Sequence, residues 1–93
     1  MKITDINIKK LTNEDSNSKL KGIASIVIDD CFVIHGIKIL EGIHGYFIAM
    51  PSKKSDDGKY IDIVHPVNSL TYNLITDSII QEFNKINKEE NNE

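Results

Sequence analysis

The residues in this chain best suited to chemistry are three lysines in one short segment. Lys53 and Lys54 follow a proline, and Lys59 lies across an Asp57-Gly58 pair that predicts a turn. Exposed lysines attract phosphate and aromatic side chains stack on bases, so the segment fits nucleic-acid binding. On these residues alone, a solvated lysine loop beside core aromatics is the favoured interpretation, since aspartates share the loop. The aromatic residues near this segment in the sequence are Tyr46, Phe47 and Tyr60.

Two other pairs of residues could support catalysis or metal binding. Cys31 and His35 are four residues apart in a predicted strand, which separates their backbones by about 13 Å and makes a local dyad untenable. His35 is interpreted as a core or dimer-face histidine. Asp62 and His65 supply half of a metal site without a third ligand. The favoured interpretation is a surface acid and a histidine that bonds backbone near the start of a helix.

Motifs of known enzyme classes do not occur in the sequence. It contains no glycine-rich phosphate loop, no Gly-x-Ser-x-Gly elbow and no carboxylate pair at a recognisable spacing. We therefore expect a protein that is not an enzyme, with no catalytic residue, no metal, no cofactor and no small-molecule substrate.

Length and composition bound the fold and the compartment. A chain of 93 residues forms one domain with a modest core, so we expect a homodimer to add buried surface. No apolar run approaches the roughly 18 residues that a membrane span needs. The first residues alternate like a strand and do not resemble a signal peptide, and a single cysteine cannot form an internal disulfide. These features predict a cytoplasmic protein without a membrane partner.

Charge is distributed unevenly along the chain. Residues 1–66 hold nine lysines and nine acidic residues, whereas residues 67–93 hold two lysines and five acidic residues. The net charge of −3 therefore belongs to the C-terminal third, and the preceding part can present positive patches. All eleven basic residues are lysines, so a nucleic-acid contact would rely on point charges rather than on guanidinium forks.

Hydrophobic periodicity predicts the elements that position these lysines. Alternating apolar residues predict strands over residues 2–11, 19–28, 31–40 and 46–50, and a short extended segment over 60–64. The polar residues 12–18 predict a loop at the tip of a hairpin. Asp29-Asp30 predicts a tight connection between two strands, and Gly36 is a candidate β-bulge.

One amphipathic helix follows the last extended segment. It is predicted over residues 69–88, with Asn68 or Ser69 as its N-cap. Residues 89–93 are too polar to stay ordered, so the domain is placed at residues 1–88. The apolar stripe of the helix consists of Leu74, Ile75, Ile79, Ile80, Phe83 and Ile86.

Together these elements predict an α+β fold. It consists of an antiparallel sheet of four to five strands plus a short hairpin, followed by one long C-terminal amphipathic helix. One helix covers one face of such a sheet, whereas at least two of the strands are apolar on both faces. The uncovered face supports the expectation of a homodimer, formed face to face or through edge strands.

The segment that carries the lysines also identifies a family. The chain resembles the bacterial stage V sporulation protein G (SpoVG) family over nearly all of residues 1–83. The resemblance is specific in the combination of an Ala-Met-Pro-Ser-Lys run, an Asp-Gly turn and an Asp-Ile-x-His-Pro run. These correspond to Ala49-Met50-Pro51-Ser52-Lys53-Lys54, Asp57-Gly58 and Asp62-Ile63-Val64-His65-Pro66.

The resemblance implies a small, cytoplasmic, dimeric bacterial regulator that binds DNA and RNA. Such proteins influence sporulation, septation or gene expression. The family's basic residues after the Met-Pro-Ser element correspond to Lys53 and Lys54, and charge alone adds Lys59, Lys9 and Lys10 as candidate contacts. A protein-interaction module that acts on septation through a partner, without direct nucleic-acid binding, is the alternative.

The chain departs from the family pattern in two respects. Members often have arginine next to the Pro-Ser-Lys element, and this chain has no arginine. They also have basic residues in the first turns of the helix, where Tyr72, Asn73 and Leu74 stand here. The departures imply weaker or differently directed binding.

Overall fold

The first half of the chain forms a four-stranded antiparallel meander. A computed structural model of the protein describes residues 1–11 and 19–91, so the loop predicted over 12–18 lies outside the described residues. The strands are β1 (Ile3–Lys10), β2 (Leu20–Ile28), β3 (Phe32–Gly42) and β4 (Gly45–Ala49). Their order in the sheet is β1-β2-β3-β4, so β1 and β4 are the two edge strands.

A two-stranded sheet and one helix complete the fold. β5 (Ser52–Lys54) pairs with β6 (Tyr60–Asp62), and α1 (Ser69–Asn91) follows. The predicted α+β architecture is confirmed. α1 continues past the predicted end at residue 88, and residues 92 and 93 of the predicted tail are not among the described residues. In the described part of the chain, no helix has the length and apolar character needed to cross a membrane.

Positive φ angles shape two places in the main sheet. Asp29 and Asp30 connect β2 to β3 with φ of 52° and 57°, which gives the twist of a primed hairpin turn. Gly36 has a φ of 79° and lies where the register between β2 and β3 shifts. The predicted tight connection and the predicted bulge are both confirmed.

α1 covers one face of the main sheet and builds the core with it. The ring of Phe83 meets the ring of Tyr46 edge to face, with centroids 5.0 Å apart, and α1 approaches both edge strands. The buried core consists of Ala24, Ile26, Ile37, Ile39, Ile48, Met50, Ile75, Ile79 and Phe83.

The start and the rotation of α1 are set by a few residues. The side-chain oxygen of Asn68 accepts the N–H of Thr71 at 2.8 Å, so Asn68 is the N-cap. Ile75, Ile79 and Phe83 follow one another at four-residue spacing and turn toward the sheet. Leu74 lies off this line and is 45% exposed, so its assignment to the apolar stripe was wrong.

The face of the main sheet opposite α1 is uncovered, and we call it the outer face. Side chains there alternate along the strands with the buried ones. His35 lies on this face and is exposed, with its Nδ1 3.0 Å from the Ser25 hydroxyl, so it is not a core residue of this chain. Other outer-face residues are Asp5, Asn7, Lys9, Val33, Lys38 and Phe47.

Candidate nucleic-acid interface

The candidate interface is the hairpin of β5 and β6, residues 52–62, which we call the lysine hairpin. Pro51 has no N–H to donate, so the ladder of β4 ends before it and the chain leaves the main sheet. The carbonyl of Pro51 accepts the N–H of Ile63 at 2.7 Å, which closes the base of the hairpin. The cross-strand pairs are Ser52 with Asp62, Lys53 with Ile61 and Lys54 with Tyr60.

Hydrogen bonds and one glycine fix the tip of the lysine hairpin. The N–H of Ser55 donates to the carbonyl of Lys59 at 2.7 Å, and the N–H of Gly58 donates to the carbonyl of Ser55 at 3.0 Å. The Asp57 carboxylate accepts hydrogen bonds from the Ser55 hydroxyl and the Lys59 N–H. Gly58 has a φ of 86°, which L side chains rarely adopt. The predicted Asp57-Gly58 turn is confirmed.

The same hydrogen bonds lower the pKa of Asp57. The Ser55 hydroxyl is the larger cause and the Lys59 N–H the next, because both stabilise the ionised carboxylate. Asp57 therefore stays charged to lower pH than an ordinary aspartate. It places a fixed negative charge at the tip, beyond the two lysines of β5.

The three lysines of the hairpin are presented to solvent. Lys53, Lys54 and Lys59 are all exposed, and among the described residues none of their ammonium groups has an ion-pair partner. Successive strand residues point to opposite faces, so Lys54 shares a face with Tyr60, and Lys53 shares the other with Ile61. The side chains of Lys53 and Lys54 therefore lie on opposite faces of the hairpin.

The three aromatic residues near the lysines in the sequence separate in space. Tyr46 packs against Phe83 in the core, and Phe47 lies on the outer face. Only Tyr60 lies beside a hairpin lysine, directly across from Lys54. Of these three aromatic residues, only Tyr60 is placed to stack on a base bound at this hairpin.

The structure places Lys9 and Lys10 on a different part of the molecule. Both lie in β1, the edge strand opposite β4, and three strand spacings of roughly 4.8 Å separate the two edges. Lys9 is exposed on the outer face, whereas Lys10 is half-buried on the side of α1. They do not join the lysines of the hairpin in one patch.

A groove of about 530 Å³ borders the hairpin. The Tyr72 hydroxyl donates to the carbonyl of Ile48 at 3.3 Å, and Nδ1 of His65 bonds the carbonyl of Pro66 at 3.0 Å. The predicted backbone bond of His65 is thus confirmed. No metal-binding cluster of three His, Cys, Asp or Glu side chains occurs in the described ranges. The groove is lined by Met50, Tyr60, Ile61, Asp62, His65, Pro66 and Tyr72.

Sequence reasoning missed the groove. Its lining residues come from the end of the main sheet, from the hairpin and from α1, so no single periodic pattern contains them. The available signal was the spacing of Asp62 and His65, two polar residues on the same short segment. That spacing supplied at most half of a metal site, and the favoured interpretation was a surface acid and a histidine bonded to backbone, so it did not predict a groove.

Exposed apolar residues cluster in the chain between β6 and the first turns of α1. The exposed fraction of the side chain is 88% at Val67 and 84% at Leu70, whereas it is 3% at the core-facing Ile75. Exposed apolar patches are a common feature of protein interaction sites. This apolar patch consists of Ile61, Ile63, Val67, Leu70 and Leu74.

Comparison with known proteins covers nearly the whole chain. The family model described as SpoVG matches residues 1–85. A relative named "Putative septation protein SpoVG" from Clostridium acetobutylicum is 47% identical over 90 residues, covering 97% of this chain and 92% of that protein. The protein of the same name from Agathobacter rectalis is 51% identical over 83 residues, covering 89% of this chain and 92% of the relative. The matched region includes the lysine hairpin and the groove.

Proposed function

The chain belongs to the SpoVG family, and from that premise we propose that it is a bacterial regulatory protein that binds DNA, with RNA as a further ligand. The name of its relatives supports a role in septation, and hence in cell division and the cell cycle. The family resemblance adds sporulation and transcription regulation. The proposed activity is binding, without catalysis or a cofactor, and the proposed compartment is the cytoplasm.

The observation that carries the proposal is the exposure of three lysines on a hairpin that contributes nothing to the buried core. Lys53, Lys54 and Lys59 hold their ammonium groups in solvent, where each can replace a counterion on a phosphate. The tip hydrogen bonds of Asp57 and the cross-strand pairs fix the backbone that carries them. A ligand therefore meets a preformed set of charges.

Lysine contacts of this kind bind strongly only at low salt. Each neutralised phosphate contributes about 0.9 to the slope of log affinity against log salt on duplex DNA. Point charges on phosphate carry no base information, so discrimination between sequences is limited. The aspartates of the hairpin lower the affinity further through like-charge repulsion of the phosphates.

Removal of two lysines tests the proposal. In Lys53→Ala with Lys54→Ala we expect duplex binding to weaken on the order of tenfold at low salt and the salt slope to fall by roughly two. The matched control is Lys85→Ala with Lys88→Ala, which removes the same charge from exposed positions of α1. Shift assays at several salt concentrations measure both variants. Equal weakening in the two variants would exclude the hairpin as the contact.

The alternative function is a protein-interaction module that acts on septation through a partner. The apolar patch favours it, because Val67 and Leu70 are exposed enough to be covered by another protein surface. Two results together would favour this alternative over nucleic-acid binding. The purified protein would have no affinity for DNA or RNA at low salt, and it would bind a discrete protein partner stoichiometrically.

We propose that a second copy of the chain covers the apolar patch in a homodimer. Leu70 and Leu74 share one flank of α1 at four-residue spacing, and Ile61 and Ile63 are exposed in the chain before it. Two copies related by a two-fold axis would bury this patch against itself.

Leu70→Glu tests the dimer. Leu70 lies in the first turn of α1, where an acidic side chain is compatible with the helix. We expect the variant to sediment as a monomer and the unaltered protein as a dimer at micromolar concentration. Ile43→Glu is the control, because Ile43 is 98% exposed in the turn between β3 and β4 and lies outside the apolar patch. A monomeric unaltered protein rejects the dimer and leaves the patch to another partner.

A further inference from the structure

The groove beside the lysine hairpin has no role in the phosphate contacts, and we propose that it holds one unpaired guanine base of a single-stranded nucleic acid. The inference rests on the proposed function, because it names the part of the nucleic acid that the same region recognises. The groove measures about 530 Å³, within the range of roughly 300–1,000 Å³ that small-ligand sites occupy.

Two tyrosines supply aromatic surfaces to the groove. Tyr60 is 73% exposed, so its ring can be covered by a base. Tyr72 is held in place by the hydrogen bond from its hydroxyl to the carbonyl of Ile48 and forms a fixed wall. Unpaired bases are commonly stacked on aromatic side chains, because every base has a flat π-face. The groove therefore offers one accessible ring and one immobile one.

The carboxylate of Asp62 supplies hydrogen-bond acceptors to the groove. The carbonyl of Pro66 can only accept, so Nδ1 of His65 carries the proton of their bond. The two carboxylate oxygens of Asp62 can accept hydrogen bonds, and they have no side-chain partner in the described part of the chain. A ligand that fits must present N–H donors.

Guanine matches this requirement better than thymine or uracil. Its Watson–Crick edge carries two adjacent N–H donors, at N1 and N2, which can meet the two oxygens of the Asp62 carboxylate. Thymine and uracil present one N–H between two carbonyl oxygens, which the carboxylate repels. Pairing occupies these donors in a duplex, so the groove selects an unpaired base.

Lys54 links the groove to the phosphate backbone. It lies opposite Tyr60 on the same face of the hairpin, so its ammonium can reach a phosphate next to a base stacked on that ring. Lys53 lies on the face of the hairpin opposite Tyr60. The order of contacts along a strand would then be a base in the groove and the neighbouring phosphate on Lys54.

A short thymidine strand with one guanine at its centre, compared with an all-thymidine strand, tests the base specificity. We expect the protein to bind the guanine-containing strand about tenfold more tightly. Asp62→Ala should abolish this preference, whereas Asp56→Ala should retain it. Asp56 is exposed on the same hairpin outside the groove, so both variants lose one negative charge and should bind the all-thymidine strand slightly more tightly.

Tyr60 variants separate stacking from phosphate binding. Tyr60→Leu should weaken single-strand binding by roughly tenfold and leave duplex binding unchanged, and Tyr60→Phe should restore the lost affinity. Equal affinity of the unaltered protein for both thymidine strands overturns the guanine site while leaving phosphate binding intact. Failure to bind either strand or a duplex at low salt overturns both proposals.

Discussion

Two regions of this chain are stabilised in different ways: the main sheet packed against α1, and the lysine hairpin. In the main sheet, Ala24, Ile26 and Ile37 are fully buried beneath α1, and apolar burial is the main stabilising force. In the hairpin every strand residue is exposed, and stability comes from cross-strand pairing and from hydrogen bonds at the tip. The side chains of the hairpin strands therefore do not pack in the core.

That difference separates the part that sets the fold from the part that binds. A substitution in the core changes the packing of several elements at once, whereas a lysine of the hairpin can change without disturbing its neighbours. Variants placed in each region should therefore differ in which property they alter. Three expectations test this separation, in order of decreasing effect.

The largest effect is expected in the core. Phe83→Ala removes a buried ring that packs on Tyr46 and should lower the free energy of unfolding by about 3–5 kcal/mol. Gln81→Ala, on the same helix at an exposed position, should change it by less than about 1 kcal/mol. Denaturant titration measures both. Similar decreases in the free energy of unfolding for both variants would contradict the assignment of Phe83 to the core.

A matched pair of glycines compares the two regions directly. Gly36 and Gly58 have φ of 79° and 86°, and an added methyl group would meet no atom within 4 Å at either position. Alanine therefore introduces only backbone strain, of about 1–2 kcal/mol in each case. Gly36→Ala should lower global stability, whereas Gly58→Ala should open the hairpin locally.

Amide hydrogen exchange distinguishes these outcomes. In Gly58→Ala we expect roughly tenfold faster exchange in β5 and β6 with unchanged exchange in α1. In Gly36→Ala the slowest amides of β2 and β3 should exchange faster as well. Uniform acceleration across the molecule in Gly58→Ala would show that the hairpin and the sheet open as one unit.

The smallest effect is expected from the titration of Asp57. Its pKa is lowered in the folded protein by the Ser55 hydroxyl and the Lys59 N–H, so ionisation stabilises the tip above the unfolded pKa. This contribution is lost as the pH falls through the lower, folded pKa. The amide signal of Lys59, followed by NMR, should shift in that acidic window and lose the transition in Asp57→Asn. A transition at or above the ordinary aspartate pKa contradicts the tip geometry.

Local patterns in the sequence predicted much of the fold. Strand alternation, the Gly36 bulge and the Asp57-Gly58 turn depend on neighbours along the chain, so they can be read from short segments. The rotation of α1 cannot, because Leu74 and Ile75 are both apolar and only packing on the sheet decides which one is buried.

The candidate site was only partly predictable for the same reason. The hairpin lysines follow one another in the sequence, and their exposure agrees with their charge. Tyr46 and Tyr60 are both near those lysines in the sequence, yet one faces the core and the other faces solvent. Tyr60, Tyr72 and the His65-Pro66 segment line the same groove, an arrangement that depends on tertiary structure.

The most direct test of the central claim is amide NMR of the protein during titration with a short oligonucleotide. We expect the largest shift changes at residues 52–62, with Lys54 and Tyr60 among them, and small changes along β1. The changes should disappear at high salt, because the contacts are ionic. Changes concentrated around Lys9 on the outer face, with an unperturbed hairpin, would contradict the account.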